Sequence, residues 1–262
     1  MLDRLIFLSN SIPKSGSPLL FNLQRDFLLA LAGRNSCDYS VLEDRGIPLK
    51  GGYLATKDIR SFVNALSDGL TPRGPLVLKV HTPVDPYMRA AYEAHDNFFM
   101  SLCVRDPLDC LLSGMENHRR TGEFQMFKTL EQGCELVTNF FQSIYDTSVA
   151  IETKPVPVVR YTDLKADPVG AVLSSLHPDL FDMVARSIVE QHLDVEASSK
   201  KAAKRLQRGG LSRDISEVPK DKQAYVLDTL HDFRAKLGYA RQNGRNRVRL
   251  RKYLGSGFIT RT

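Results

Sequence analysis

The segment RLIFLSNSIPKSGSPLL, residues 4–20, carries most of the information about the fold. Its first part, Arg4–Leu8, is an apolar run that predicts a buried β-strand. A loop rich in serine, glycine and proline follows, and a helix is expected from about Pro18 to Ala32. We expect Ser17 to cap this helix and Pro18 to take its first position. A strand, a polar loop and a helix in this order are typical of α/β proteins.

The same alternation continues along the chain. Further strands are expected at Leu76–Val80, Phe98–Val104 and Val156–Arg160, and Asp106-Pro107 is a good helix start. The fold class is therefore α/β, a three-layer parallel sheet flanked by helices, in which ligands bind at the carboxyl ends of the strands. The other helices are expected at about 106–120, 127–148, 168–176, 179–192 and 220–236.

Length and composition exclude several protein classes. The chain has 262 residues, 42% of them hydrophobic and 25% charged, which excludes disorder, collagen and a coiled coil as descriptions of the whole chain. No apolar run reaches the ~20 residues of a membrane span. The four cysteines form no C-x-x-C pair, so we expect a cytoplasmic protein. We expect one domain over residues 1–262, with a basic segment at about 240–262.

The basic charge is concentrated near the C-terminus. Residues 200–252 hold 16 lysines and arginines against 5 acidic residues, whereas the whole chain has a net charge of +6. One interpretation is a solvated face with a basic tail. The other is that part of the segment closes over an anionic ligand. Nucleic-acid binding is not expected, because the sequence has neither zinc-finger spacing nor an aromatic-rich RNA-binding signature.

The loop after the first strand is a candidate anion site. Lys14, the glycine at Gly16 and the free N–H groups of the following helix can together bind a phosphate. This is not a Walker A loop, because the lysine precedes the glycine and the upstream glycine is missing. An ordinary strand–loop–helix turn is the alternative.

Polar residues also follow the other strands. Lys79 and His81 alternate along an extended segment and can face the same side, where His81 is a candidate general base. Arg105 and Ser113 can hold one phosphate between them, although a surface pair of Arg105 with Asp106 is an alternative. Tyr161 follows the fourth strand, where it can either contact a ligand or simply pack.

Together these segments resemble the sulfotransferases that use 3′-phosphoadenosine 5′-phosphosulfate (PAPS), and they occur in that family's order over about residues 5–215. The resemblance implies a P-loop NTPase-like sulfotransferase fold. The matching stretches are Pro13–Leu19 for P-K-S-G-T-T-W, Lys79–Pro83 for K-x-H-x-P, Arg105–Asp109 with Ser113 for R-[DN]-P-x-D and its serine, Tyr161–Leu164 for Y-E-D-L, and Arg208–Gly210 for R-K-G.

The resemblance implies transfer of a sulfuryl group from PAPS to a hydroxyl, or an amine, of a small-molecule or saccharide acceptor, without a metal ion. Lys14 would stabilise the leaving phosphate, His81 would take the acceptor's proton and Lys79 would help bind the sulfuryl group. The product is 3′-phosphoadenosine 5′-phosphate (PAP). The residues implied in donor binding are Lys14, Ser15, Gly16, Ser17, Pro18, Leu19, Arg105, Ser113, Tyr161, Arg208, Gly209 and Gly210.

The sequence departs from the family pattern at Pro18 and Leu19, where the family has threonine and an adenine-stacking tryptophan; the chain has no tryptophan. Acceptor contacts are expected from residues 36–70 and 110–145. Two other functions remain open at this stage. One is a P-loop phosphotransferase, which the missing G-K-[ST] order disfavours. The other is a non-catalytic protein that binds PAP or another nucleotide.

Overall fold

The computed structural model describes residues 2–181 and 213–239. Their centre is a sheet of four parallel strands in the order β2-β1-β3-β4. This confirms the expected α/β class with a parallel sheet. The strands are β1 at Ile6–Ser11, β2 at Leu76–Val80, β3 at Phe98–Val104 and β4 at Val158–Arg160.

Helices connect the strands and cover both faces of the sheet. Short 3₁₀ turns at Leu2–Arg4, Thr56–Asp58, Gln125–Phe127 and Ile215–Glu217 join some of these elements. The α-helices are α1 (Ser17–Leu31), α2 (Ser40–Glu43), α3 (Ile59–Ser67), α4 (Pro86–Ala94), α5 (Pro107–Thr121), α6 (Leu130–Leu136), α7 (Gln142–Val149), α8 (Tyr161–Ala166), α9 (Pro168–Ser174), α10 (Pro178–Phe181) and α11 (Lys220–Lys236).

Alternation along β1 produces the three layers. Ile6 and Leu8 point into a core that also contains Leu111 of α5, whereas Phe7 points into a second core with Leu20 of α1. Since neighbouring residues of a strand point to opposite faces, one central strand supplies both cores. The sheet is therefore buried on its two sides, as expected for a parallel sheet.

β1 is longer than its apolar residues indicate. The prediction of a strand at Arg4–Leu8 was wrong at both ends, because Arg4 lies in a 3₁₀ turn and the strand runs on to Ser11. Ser9, Asn10 and Ser11 are polar but fully buried. They are strand residues because β1 lies between β2 and β3 and pairs with both of them.

The chain leaves β1 and β3 in opposite directions across the sheet. The chain first moves from β1 to β2 on one side and then returns to β3 on the other side. Helix α1, after β1, packs on one face, and α5, after β3, packs on the opposite face. The carboxyl ends of β1 and β3 therefore flank a crevice, which is where open α/β sheets bind ligands.

Gly16 determines where α1 begins. The expected cap at Ser17 was wrong: Gly16 is the N-cap residue, with φ of 83°, and Ser17 is already helical. A Cβ atom at Gly16 would lie 2.4 Å from the ring of Tyr161. Only glycine satisfies both the left-handed backbone and this close approach.

Several other expectations need correction. The helix expected at 127–148 begins at Leu130 and contains a π-helical turn at Val137–Phe141. Helices α3 and α4 were not predicted. The helix expected at 179–192 is described only as Pro178–Phe181, because its remainder lies outside the described residues, as do residues 200–212 and the basic segment 240–262. Within the described ranges, no helix combines the length and apolarity of a membrane span.

We expect Gly16→Ala to lower the free energy of unfolding much more than Gly33→Ala. Both glycines have positive φ, of 83° and 63°, but nothing lies within 4 Å of a Cβ at Gly33. Gly33→Ala should therefore cost about 1 kcal/mol from the backbone alone. Gly16→Ala should add about 1–3 kcal/mol of overpacking against Tyr161. Denaturant unfolding measures both, and equal losses would contradict the contact with Tyr161.

Candidate active site

The loop after β1 and the tip of β3 are in direct contact. Nη1 of Arg105 donates a hydrogen bond to the carbonyl oxygen of Lys14, over 3.2 Å. The next residue of the loop, Ser15, is held in the same way: its carbonyl oxygen accepts a hydrogen bond from the thiol of Cys103, also over 3.2 Å. Segments that are about ninety residues apart in sequence therefore meet at the crevice between the ends of β1 and β3.

The loop itself has two features of a ligand-binding turn. Lys14 has a φ of 69°, a conformation that non-glycine residues seldom adopt. The Ser15 side chain is fully buried, yet its Oγ has no hydrogen-bond partner among the described residues. Buried hydroxyls are normally paired, so an unsatisfied one here is a feature that a bound oxyanion would satisfy.

Arg105 is buried, with 4% of its surface exposed. Its Nε donates to Oδ2 of Asp109 over 3.1 Å, and its guanidinium lies 4.7 Å from the ring centroid of Tyr161. The alternative of a surface pair with Asp106 was wrong. Asp106 instead caps α5 and accepts two hydrogen bonds from Arg234 of α11, over 2.9 and 2.8 Å.

The acidic residues of this motif thus bring later parts of the chain to the site. Asp106 ties α11 to the start of α5, and Oδ1 of Asp109 accepts a hydrogen bond from the backbone of Arg213 over 2.7 Å. Ser113 lies on α5 and is partly buried. Tyr161 opens α8, and burial raises the pKa of its hydroxyl.

His81 lies beside the end of β1. Its Nδ1 is 2.8 Å from the carbonyl oxygen of Ser11 and 2.9 Å from the Ser11 hydroxyl. A carbonyl oxygen can only accept, so Nδ1 carries the ring proton and Nε2 keeps the lone pair. This tautomer is the one that a general base acting through Nε2 requires.

The surroundings of His81 favour its neutral form. Burial lowers the pKa of His81 to about 4, and the positive charges of Lys79 and Lys14 act in the same direction. The hydrogen bond to the Ser11 carbonyl opposes this shift but does not cancel it. His81 is therefore unprotonated at neutral pH and able to accept a proton.

Tyr53 joins Lys79 and His81. The segment around Tyr53 lies along the outer edge of β2, where the Lys79 N–H donates to the carbonyl oxygen of Gly52 over 2.8 Å. The Tyr53 ring centroid lies 5.2 Å from Nζ of Lys79 and 5.8 Å from the His81 ring. Contact with one ring places Lys79 and His81 on the same side, as their alternation predicts.

Phe124 covers Lys14 from another direction. Its ring centroid lies 4.1 Å from Nζ of Lys14, although 42% of Phe124 is exposed. Burial and the nearby charge of Arg120 lower the pKa of Lys14, and Glu123 partly offsets the shift. Tyr53 and Phe124 come from the two segments expected to supply acceptor contacts, but no sequence pattern singled out these two residues.

Four of the predicted donor-binding residues are not part of the described site. Arg208, Gly209 and Gly210 lie outside the described residues. Leu19 is buried in the core that covers α1, rather than placed as an open stacking face. Within residues 2–181 and 213–239, no group of three His, Cys, Asp or Glu side chains is arranged to hold a metal ion.

Comparison with known proteins gives one family. The family model for the sulfotransferase domain matches residues 11–176, which is more than half of the chain. No curated protein matches the sequence.

Among solved structures, retinol dehydratase in complex with androsterone and inactive cofactor PAP is similar at 12% identity and a TM-score of 0.51, over 92% of this chain and 83% of that one. Retinol dehydratase in a complex with retinol and PAP is similar at 13% identity and a TM-score of 0.53, over 89% and 82%. These likenesses concern the fold. With the match over residues 11–176, the chain belongs to the sulfotransferase domain family, the PAPS-dependent sulfotransferases that its motifs resemble.

Proposed function

We propose that this protein transfers a sulfuryl group from PAPS to a hydroxyl of a small-molecule or saccharide acceptor. The observation that carries the proposal is the contact between Arg105 and the Lys14 carbonyl, with Lys14 close enough to His81 for its charge to act on the imidazole. It brings two cationic groups for the two ends of a bis-anionic nucleotide next to a neutral imidazole. We further propose that residues 1–262 form the single domain that performs this reaction.

The donor would be held at both ends. The unsatisfied hydroxyl of Ser15 and the start of α1 suit the 5′-phosphosulfate, and Arg105 with Ser113 suits the 3′-phosphate. Pro18 has no N–H, and the Leu19 N–H donates to the Gly16 carbonyl oxygen over 2.9 Å. Anion binding at the helix start therefore falls to the N–H groups of Gly16 and Ser17.

The substitution at Leu19 affects the adenine end. Its side chain is buried in the core, and Tyr161 is engaged by Arg105 and by the close approach to Gly16. A missing aromatic face would cost about 1–3 kcal/mol, by analogy with base stacking. We therefore expect nucleotide affinity to depend mainly on the charged contacts at the two phosphates.

The chemistry needs a base on one side of sulfur and a cation on the other. As the acceptor oxygen bonds to sulfur, Nε2 of His81 takes the hydroxyl proton, and the bond from sulfur to the bridging phosphate oxygen breaks. Lys14 stabilises the charge that collects on that oxygen, and Lys79 helps to orient the sulfuryl oxygens. The products are a sulfate ester and PAP.

Of the two acceptor classes, two observations favour a small molecule over a saccharide. Tyr53 and Phe124 place apolar rings beside His81 and Lys14, respectively. The similar structures of retinol dehydratase contain PAP together with androsterone or retinol, which are small molecules. A panel of hydroxylated acceptors incubated with radiolabelled PAPS tests the activity. Tight binding of PAP without sulfuryl transfer to any acceptor would favour a nucleotide-binding protein, and tight binding of ATP would favour a phosphotransferase.

We expect His81→Ala to lower the rate of sulfuryl transfer by about 10²–10⁴-fold, because the general base is lost. The affinity for PAP should remain, since His81 is bonded to Ser11 rather than to the loop at Ser15. Initial rates and a calorimetric PAP titration measure the two effects. Retained turnover in the variant would remove His81 from the role of base.

The pH dependence should follow from the lowered pKa of His81, which is about 4. The basic form is then present from neutral pH down to about pH 5, so kcat/KM should fall only as the pH approaches 4. A fall centred near 6.5 would contradict the desolvated state of His81. The residual activity of His81→Ala should lack this acidic limb.

We expect Arg105→Ala to weaken PAP binding by about 2–3 kcal/mol, because a charge-assisted contact to phosphate is lost. Arg105→Lys keeps the charge but not the planar fork, so it should fall between the wild type and the alanine variant. Arg60→Ala, exposed on α3, is the control. Thermal melts identify variants that fail to fold, and unchanged PAP affinity in a folded Arg105→Ala would place the 3′-phosphate elsewhere.

A further inference from the structure

Asn10, in the interior of the sheet, binds the backbone that follows His81. Its Nδ2 donates to the carbonyl oxygen of Thr82 over 2.9 Å, and its Oδ1 accepts from the Thr82 N–H over 3.3 Å. The same Oδ1 accepts from the N–H of Ser11 over 2.9 Å. One fully buried amide therefore binds both peptide groups of Thr82.

This clamp lies where the sheet stops holding β2. The pairing of β1 with β2 ends at Asn10 and Val80, so His81 and the residues after it lie beyond the ladder. Pro83 has no N–H with which to continue the pairing. The side-chain amide of Asn10 takes the place of the missing ladder bonds.

The other contacts of His81 complete its support. Oγ1 of Thr56 donates to the carbonyl oxygen of His81 over 3.0 Å, and Ser11 holds the ring at Nδ1. Asn10 thus fixes the peptide after His81, while its neighbour Ser11 fixes the imidazole. Both supports come from the last two residues of β1, the strand that leads into the loop at Lys14.

We propose that Asn10 is a positioning residue for His81, whose clamp on Thr82 keeps the imidazole bonded to Ser11 and turned toward the reacting hydroxyl. The inference rests on the proposed function for its catalytic meaning, but the placement of His81 is testable without a substrate. Asparagine suits the position because it offers a donor and an acceptor side by side, and a backbone peptide needs both.

The groups that face His81 determine what loss of the clamp would change. Lys79 lies on β2, Lys14 on the loop after β1, and the Tyr53 ring on the segment along β2. Burial and the positive charges of the two lysines all lower the pKa of His81. If the segment after β2 loosens, water reaches the imidazole, and its pKa moves back toward 6.5.

The test compares two buried amide side chains, each replaced by an apolar side chain of similar size. Asn10→Leu removes the clamp. Gln24→Met is the matched control, because Gln24 is fully buried in α1 and its Nε2 donates to the hydroxyls of Ser101 and Ser175, away from the catalytic candidates. Asn10→Ser is a milder variant for the case that Asn10→Leu does not fold.

Each folded variant is compared with the wild type in its melting temperature, its PAP affinity, and its kcat and KM. The ¹⁵N NMR titration and the tautomer of His81 are also measured, with the signals assigned against His81→Ala. For the Asn10 variants we expect the His81 midpoint to rise, kcat to fall at least about tenfold, and PAP affinity to change less than about twofold. Gln24→Met should lower the melting temperature without moving the other quantities.

Two results would overturn the inference. One is a folded Asn10→Leu protein whose His81 titration and tautomer equal those of the wild type. The other is a Gln24→Met protein that shifts His81 as much as Asn10→Leu does, which would make the effect one of general stability. If the wild type transfers no sulfuryl group while Asn10→Leu still shifts His81, the proposed function fails and the positioning of His81 stands.

Discussion

The hydrogen bond from Arg105 to the Lys14 carbonyl is the contact on which the site depends. It joins the ends of the two central strands, β1 and β3, at the point where their connections diverge to opposite faces of the sheet. A parallel sheet places these strand ends side by side, but a specific polar contact is needed to hold a loop with positive φ at Lys14 in place.

The charged residues of the R-D-P-x-D motif contact different parts of the chain. Arg105 faces the loop, whereas Asp106 and Asp109 recruit Arg234 and the backbone of Arg213. A buried arginine needs a partner to be tolerated, and Asp109 supplies it. The motif therefore anchors helix α11 to the start of α5 and also holds Arg105 against the loop at Lys14.

Polar residues at the end of β1 serve the neighbouring strand. The polarity of Ser9, Asn10 and Ser11 predicts a loop, yet all three are buried strand residues. Burial of such groups is tolerated when they are hydrogen-bonded, and Asn10 and Ser11 meet that condition through Thr82 and His81. The polar side chains of Asn10 and Ser11 are thus explained by their hydrogen bonds to the segment after β2.

The sequence by itself determined the parallel α/β architecture, the bounds of β2 and β3, and the motifs that place Lys14, His81 and Arg105 at strand ends, because periodicity and helix-start chemistry are local properties. Only the tertiary structure decided that Gly16 rather than Ser17 caps α1, that Tyr53 and Phe124 cover the lysines, and that Asn10 clamps Thr82. These depend on contacts between segments distant in the chain, and no local pattern encodes which distant group a buried amide or an aromatic ring will meet.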